Sequence, residues 1–169
     1  ECTMEAREYL ELDEGAEKRT FTKNLREMSA FIVHGKDKAL AYELKDFLQN
    51  NLKMKEPTIL FQKPSSGKTI IEKFEESAQR TDLAFVLLTP DDFLDDGQGT
   101  NRYYARQNVM FELGYFVAKF GRKSGRVFLF KSGDTNIPSD LSGVVYIDVT
   151  HGIASASEQI RTELNEFSQ

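Results

Sequence analysis

Apolar residues fall into five short continuous runs, separated by longer segments in which they recur at helical spacing. "AFIVH" (30–34), "TILF" (58–61), "LAFVLLT" (83–89), "RVFLF" (126–130) and "VVYIDV" (144–149) are the runs. Each is too short for a helix, and their β-branched and aromatic content predicts buried strands. The third run is the most continuously apolar, so it is expected at the centre of a sheet covered on both faces. Between the runs, Leu40, Leu44, Phe47 and Leu48 predict one amphipathic helix. Ile70, Ile71, Phe74 and Ala78 predict a second helix with those four residues on one face, and Ile160, Leu164 and Phe167, facing inward, a last helix from about Ser155 to Phe167. The polar, acidic stretch "PDDFLDDGQGTN" (90–101) reads as a loop into a long helix from about Arg102 to Phe120, with Gly121 as its C-terminal cap.

Strands alternating with helices predict an α/β fold: a flavodoxin-like three-layer sandwich around a five-stranded parallel sheet of order 2-1-3-4-5, with right-handed crossovers. Ligands of such sheets bind outside the carboxyl ends of the strands, at the switch point between strands 1 and 3. Three segments converge there: His34–Asp37, Thr89–Asp92, and the start of the long helix. Residues 1–28 are charge-dense without a sustained apolar stripe and carry Gly15, which predicts a linker or a loosely docked helix. The sandwich is expected over 29–169.

Composition narrows the partners. The 169 residues carry a net charge of −5, which argues against a general nucleic-acid surface. Cys2 is the single cysteine, so no internal disulfide forms and a reducing, cytoplasmic setting is expected. His34 and His151 are the only histidines, poor material for a structural zinc site. No apolar run approaches the roughly 20 residues of a membrane-spanning helix. The chain opens on Glu1 rather than Met, which leaves room for an upstream sensor domain.

Gly67-Lys68-Thr69 invites comparison with a phosphate-cradling loop, yet the first glycine of that motif is replaced by Gln62. Thr69-Ile70-Ile71-Glu72 fits a capping box instead, with Gly67 easing the turn.

Candidate chemistry concentrates in "ARQNVMFELGYFVAKFGRK" (105–123). Val109, Leu113, Phe116, Val117 and Phe120 form its buried stripe. Asn108, Glu112, Tyr115 and Lys119 recur on a neighbouring face. Glu112 is thus a carboxylate beside the apolar stripe, and periodicity alone also allows an edge glutamate paired with Lys119 or Arg106.

"FIVHG", "GKTIIEKFEE", "AFVLLTPDD" and "ARQNVMFELGYFVAKFGR", in this order, resemble the prokaryotic TIR-like effector domains of antiphage CBASS and Pycsar systems. Those domains were formerly described as predicted nucleotide-binding. The resemblance covers roughly Ser29 to Val149, and R-Q-N-V-x-F-E-L-G-Y-F is its most specific piece. It implies a flavodoxin-like NAD glycohydrolase with NAD as substrate, no cofactor, and Glu112 as the catalytic residue. It also implies self-association through TIR surfaces, with the loop around Gly67 shaping the site and the contacts between subunits. Substrate contacts are expected from His34, Gly35, Asp37, Ser65, Lys68, Asp91, Arg106, Asn108 and Tyr115. Asp92 and Ser66 are further candidates. Several of these have plainer accounts: His34 as a packing or capping histidine, Asp91 and Asp92 as turn residues after Pro90, and Arg106 as a surface cation.

Three other readings compete. A non-catalytic TIR-like module that binds a nucleotide or assembles with partners shares every motif. A phosphoacceptor receiver shares the fold class but wants acidic residues after the first strand, where this chain has His34-Gly35. A nucleoside deoxyribosyltransferase-like N-glycosidase would use a similar fold and glutamate.

Overall fold

A computed structural model describes residues 24–62, 67–95, 101–121, 123–141 and 146–167 of the chain. Four strands run through its core: β1 (Ala30–Val33), β2 (Thr58–Ile59), β3 (Leu83–Leu88) and β6 (Val127–Lys131). With β8 (Tyr146–Asp148) they form one five-stranded sheet of order β2-β1-β3-β6-β8, parallel at every pairing. This is the expected order, with β6 and β8 taking the fourth and fifth places.

The central strands are apolar at every position because each residue has a layer to face. Ala30, Ile32, Leu83, Phe85 and Leu87 belong to one hydrophobic cluster, with α1 (Lys38–Asp46) and α4 (Ser157–Phe167). Phe31, Val33, Ala84, Val86 and Leu88 belong to the other, with α2 (Ile70–Gln79) and α3 (Gln107–Phe120). Successive side chains alternate between the two faces, so a strand covered on both sides loses the polar half of its pattern. Each fully buried leucine or phenylalanine contributes about 2 kcal/mol of transfer free energy.

Local signals end the elements where expected. Thr69 and Glu72 form the full capping box of α2: the Thr69 hydroxyl accepts from the Glu72 amide at 3.3 Å, and the Glu72 carboxylate accepts from the Thr69 amide at 2.7 Å. Gly67 precedes it at φ +76°, a left-handed conformation that an L side chain strains to adopt. Gly121 ends α3 at φ +79°, its amide donating to the Val117 carbonyl.

Two expectations are corrected. The long helix begins at Gln107, not near Arg102, because 101–104 form a strand. β5 (Asn101–Tyr104) pairs antiparallel with β4 (Asp92–Asp95) and parallel with β7 (Thr135–Asn136), making a small second sheet. The aromatic pair Phe93 and Tyr103, directly opposed with ring centroids 5.5 Å apart, favours that pairing over helix. Residues 96–100 lie outside the described residues. On α2, Phe74 and Ala78 are buried as expected, but Ile70 and Ile71 are 77% and 44% exposed. They occupy the first turn, beyond the reach of the sheet that Phe74 packs on. At the other end of the chain, a short 3-10 turn, Ala154–Ala156, precedes α4. Residues 1–23, where the linker or helix was expected, lie outside the described residues. Met28 is already part of the core.

Candidate functional site

The topology brings two loops together at the switch point. One follows β1 and runs His34-Gly35-Lys36-Asp37; the other follows β3 and runs Thr89-Pro90-Asp91. Asp91 joins them. Its carboxylate accepts from the Lys36 amide at 3.0 Å and the Thr89 hydroxyl at 2.9 Å. The Lys36 ammonium returns to the Asp91 carbonyl at 2.7 Å and the Asp92 carboxylate at 2.9 Å. A side chain on Gly35 would place its Cβ only 1.5 Å from Asp91 Oδ2, so glycine is what lets the loops close. Asp37 caps α1, accepting from the Leu40 amide at 2.9 Å. Gly35, Asp37 and Asp91, all expected to touch substrate, thus build the loop framework. Lys36, which the sequence did not single out, is its hub.

His34 stands at the tip of β1, half-buried. Its Nδ1 lies 2.8 Å from the Gly35 carbonyl, and its ring meets Phe61 edge-on at 5.1 Å. Desolvation holds its pKa below the usual histidine value, and the nearby Lys38 ammonium adds to that.

Glu112 lies in the second turn of α3, half-buried. Burial alone pushes its carboxyl up from 4.5 to about 7. Neither expected cation pairs with it. The Lys119 ammonium instead donates to the carbonyls of Ala78, Gln79 and Thr81, at the C-terminal end of α2. Arg106 holds the N-cap position of α3 without a side-chain capping bond, exposed. Among the described residues Glu112 has no hydrogen bond or ion pair, yet no buried side-chain oxygen lacks a partner, so its carboxylate must reach solvent. A carboxyl that is desolvated yet reaches solvent is what chemistry at a carboxylate needs.

The neighbours of Glu112 are partly apolar. Phe74 of α2 meets Tyr115 at 5.0 Å, Phe116 at 5.9 Å and Phe111 at 6.2 Å. α2 and α3 both start at the carboxyl ends of the strands. One turn toward those ends lie Ile70 and Ile71 on α2, and Asn108 and Glu112 on α3. Tyr115 is half-buried against Phe74, and Asn108 is exposed. Lys68 is occupied by Glu76 at 2.6 Å, both exposed. Ser65 and Ser66 lie outside the described residues. The structure therefore sets His34, Gly35, Asp37 and Asp91 in the loops after β1 and β3, Arg106 at the N-cap of α3 and Asn108 and Glu112 in its first two turns, and leaves Lys68 in a surface ion pair.

Comparisons with known proteins cover the same part of the chain. A family model described as the TIR domain of CAP12/Pycsar effector proteins matches residues 29–151. The uncharacterized protein YuaY of Escherichia coli strain K12 is 42% identical over 127 residues, which cover 72% of this chain and 40% of that protein. Protein tirC of Dictyostelium discoideum is 34% identical over 148 residues, covering 81% of this chain and 72% of tirC. The chain thus spans well under half the length of the first of these relatives. Among solved structures, the crystal structure of the IL-17 receptor B SEFIR domain superposes with a TM-score of 0.52 at 14% identity, over 86% of this chain and all of that one. At that identity it shows a shared fold alone.

Proposed function

The chain belongs to the TIR-domain family of CAP12/Pycsar effector proteins, antiphage effectors, and from that membership and the chemistry of Glu112 we propose that it is a NAD glycohydrolase. The single observation that carries the reading is a carboxyl in the second turn of α3, lifted to about 7 by burial and joined by no cation among the described residues.

One carboxylate suffices for this reaction. Glycosidases usually need a second acid to protonate a poor leaving group. Nicotinamide in NAD is a cationic ring, so when the C1′–N bond breaks the electron pair goes to the ring nitrogen and nicotinamide departs neutral. Positive charge develops on the ribose, and a fixed carboxylate in a partly dry crevice stabilises it more strongly than water would. Water then adds at C1′ and loses its proton, giving ADP-ribose, or an internal nucleophile closes a cyclic product. With a pKa of about 7, Glu112 is roughly half ionised at neutral pH and can also accept that proton. The chemistry asks for no cofactor.

A second reading, assembly without catalysis, is favoured by the exposed Ile70, Ile71 and Phe111. In the first reading the same surface serves self-association of an active enzyme, under a sensor domain elsewhere in the full protein. Chromatography of nicotinamide release from NAD separates the two. Wild type at high protein concentration is expected to release nicotinamide and Glu112→Ala to release at least a hundredfold less. A wild type as silent as the variant, with an activator present, would favour the assembly module.

A further inference from the structure

In the layer across the sheet from α3, the α1 helix does not stop at Asp46. One π-helical turn, Phe47–Asn51, continues it, and the Leu52 amide reaches back five residues to the Phe47 carbonyl at 3.1 Å. Single widened turns of this kind are frequent at functional sites. This one walls a cavity of about 260 Å³ between α1 and α4. Glu43 and Asp46 of α1 and Phe47 and Asn51 of the turn line one side, and Ser157 and Arg161 of α4 the other. Phe47 belongs to the hydrophobic cluster of the α1–α4 layer, whereas Val109, Leu113 and Phe116 of α3 belong to the second cluster, so the cavity is separate from Glu112.

The Arg161 guanidinium lies 5.3 Å from the centre of the Phe47 ring, and its Nε is 3.8 Å from the Glu158 carboxylate, too far for a hydrogen bond. None of its nitrogens donates a hydrogen bond among the described residues, and the side chains of Asn51 and Ser157 make none either. Glu43 is partly committed: one carboxylate oxygen accepts from the Ile153 and Ala154 amides at 2.8 and 3.2 Å, which satisfies the chain's entry into α4. Asp46 accepts from the Asn50 side-chain amide at 2.6 Å with one oxygen. Asp46 and Arg161 nevertheless line one cavity without pairing with each other. A bare anion entering it meets Glu43 and Asp46, and a bare cation meets Arg161. A ligand that carries both charges meets a complement for each. The volume of about 260 Å³ lies below the roughly 300–1,000 Å³ of drug-sized sites, too small for a dinucleotide.

We infer that this cavity binds a free α-amino acid with a short side chain. Its carboxylate sits on the guanidinium fork of Arg161, with the Ser157 hydroxyl and the Asn51 amide as further donors. Its ammonium donates to Asp46 and to the second oxygen of Glu43. Stacking on Phe47 holds the guanidinium in place for that contact. The inference uses none of the residues assigned to NAD, so either reading can fail without the other.

The test is an NMR titration of the isotope-labelled chain at pH 7 with glycine, L-alanine and L-serine at millimolar concentrations. The backbone amide signals of Ile153 and Ala154 and the side-chain amide of Asn51 are expected to move and saturate with at least one of the three. The N-acetyl derivative of that amino acid lacks the ammonium and its methyl ester lacks the carboxylate, and each should bind at least about tenfold more weakly. Arg161→Gln should weaken binding by the same factor. Asp46→Asn, which keeps an oxygen to accept from Asn50, should do so too, with an unchanged melting temperature. No saturating movement with any of the three, a derivative that binds as tightly as its parent, signals that answer inorganic phosphate alone, or undiminished binding in the two variants each overturns the inference.

Discussion

A carboxyl group held at a pKa of about 7 opposes folding at neutral pH. Its folded-state pKa lies above the unfolded value of 4.5, so its contribution to stability is fully present below about 4.5 and is lost as pH rises through 7. The loss amounts to roughly 3 kcal/mol at most. Glu112→Gln should therefore unfold at higher urea than wild type at pH 8, by about 1–3 kcal/mol, and match it near pH 4. Lower stability at pH 8 would mean that Glu112 has a partner and is not a desolvated acid. Gly35 makes the opposite case: Gly35→Ala forces Cβ against Asp91 and should cost about 1–3 kcal/mol, read as a fall in melting temperature. At this scale the sequence was partly legible. Helical spacing put Glu112 beside the apolar stripe, but nothing in it distinguished a free carboxyl from one paired with Lys119. That choice was made by the end of α2, whose open carbonyls take the lysine. The role of Lys36 was equally hidden, because it depends on loops that meet only in the folded chain.

The elements were legible where a covered strand or a cap dictated them, and illegible where tertiary pairing overrode a helical pattern. Thr69, Glu72, Gly67 and Gly121 have local roles and do as local rules require. The β4–β5 hairpin does not, since its strands gain their reason from each other and from β7. The start of α3 is set by that hairpin, and its attitude against α2 by Lys119. Lys119→Met leaves the carbonyls of Ala78, Gln79 and Thr81 without their donor and should destabilise the chain by about 2 kcal/mol. Hydrogen exchange is expected to show faster opening at the C-terminal turn of α2; protection equal to wild type there would contradict a clamping role.

For the whole molecule, the order of the main sheet followed from the alternation of apolar runs and helical segments, because crossover handedness leaves few ways to arrange them. That order alone places the switch point at the tips of β1 and β3. What no periodicity reveals is the outside: Ile70 and Ile71 satisfy a helical stripe but face solvent. If they are covered by a second copy of the chain, specific activity should rise with protein concentration, and Ile70→Asp should depress it at every concentration while leaving the melting temperature within a degree or two. Activity that is flat over two decades of concentration would contradict self-association. The account as a whole depends on Glu112 acting as a carboxylate on NAD, and the pH profile of nicotinamide release tests that most directly. It predicts a rate that climbs through about pH 7, levels above it, and vanishes in Glu112→Gln at every pH. A profile flat from pH 5 to 9, or a Glu112→Gln chain that still releases nicotinamide at the wild-type rate, would contradict it.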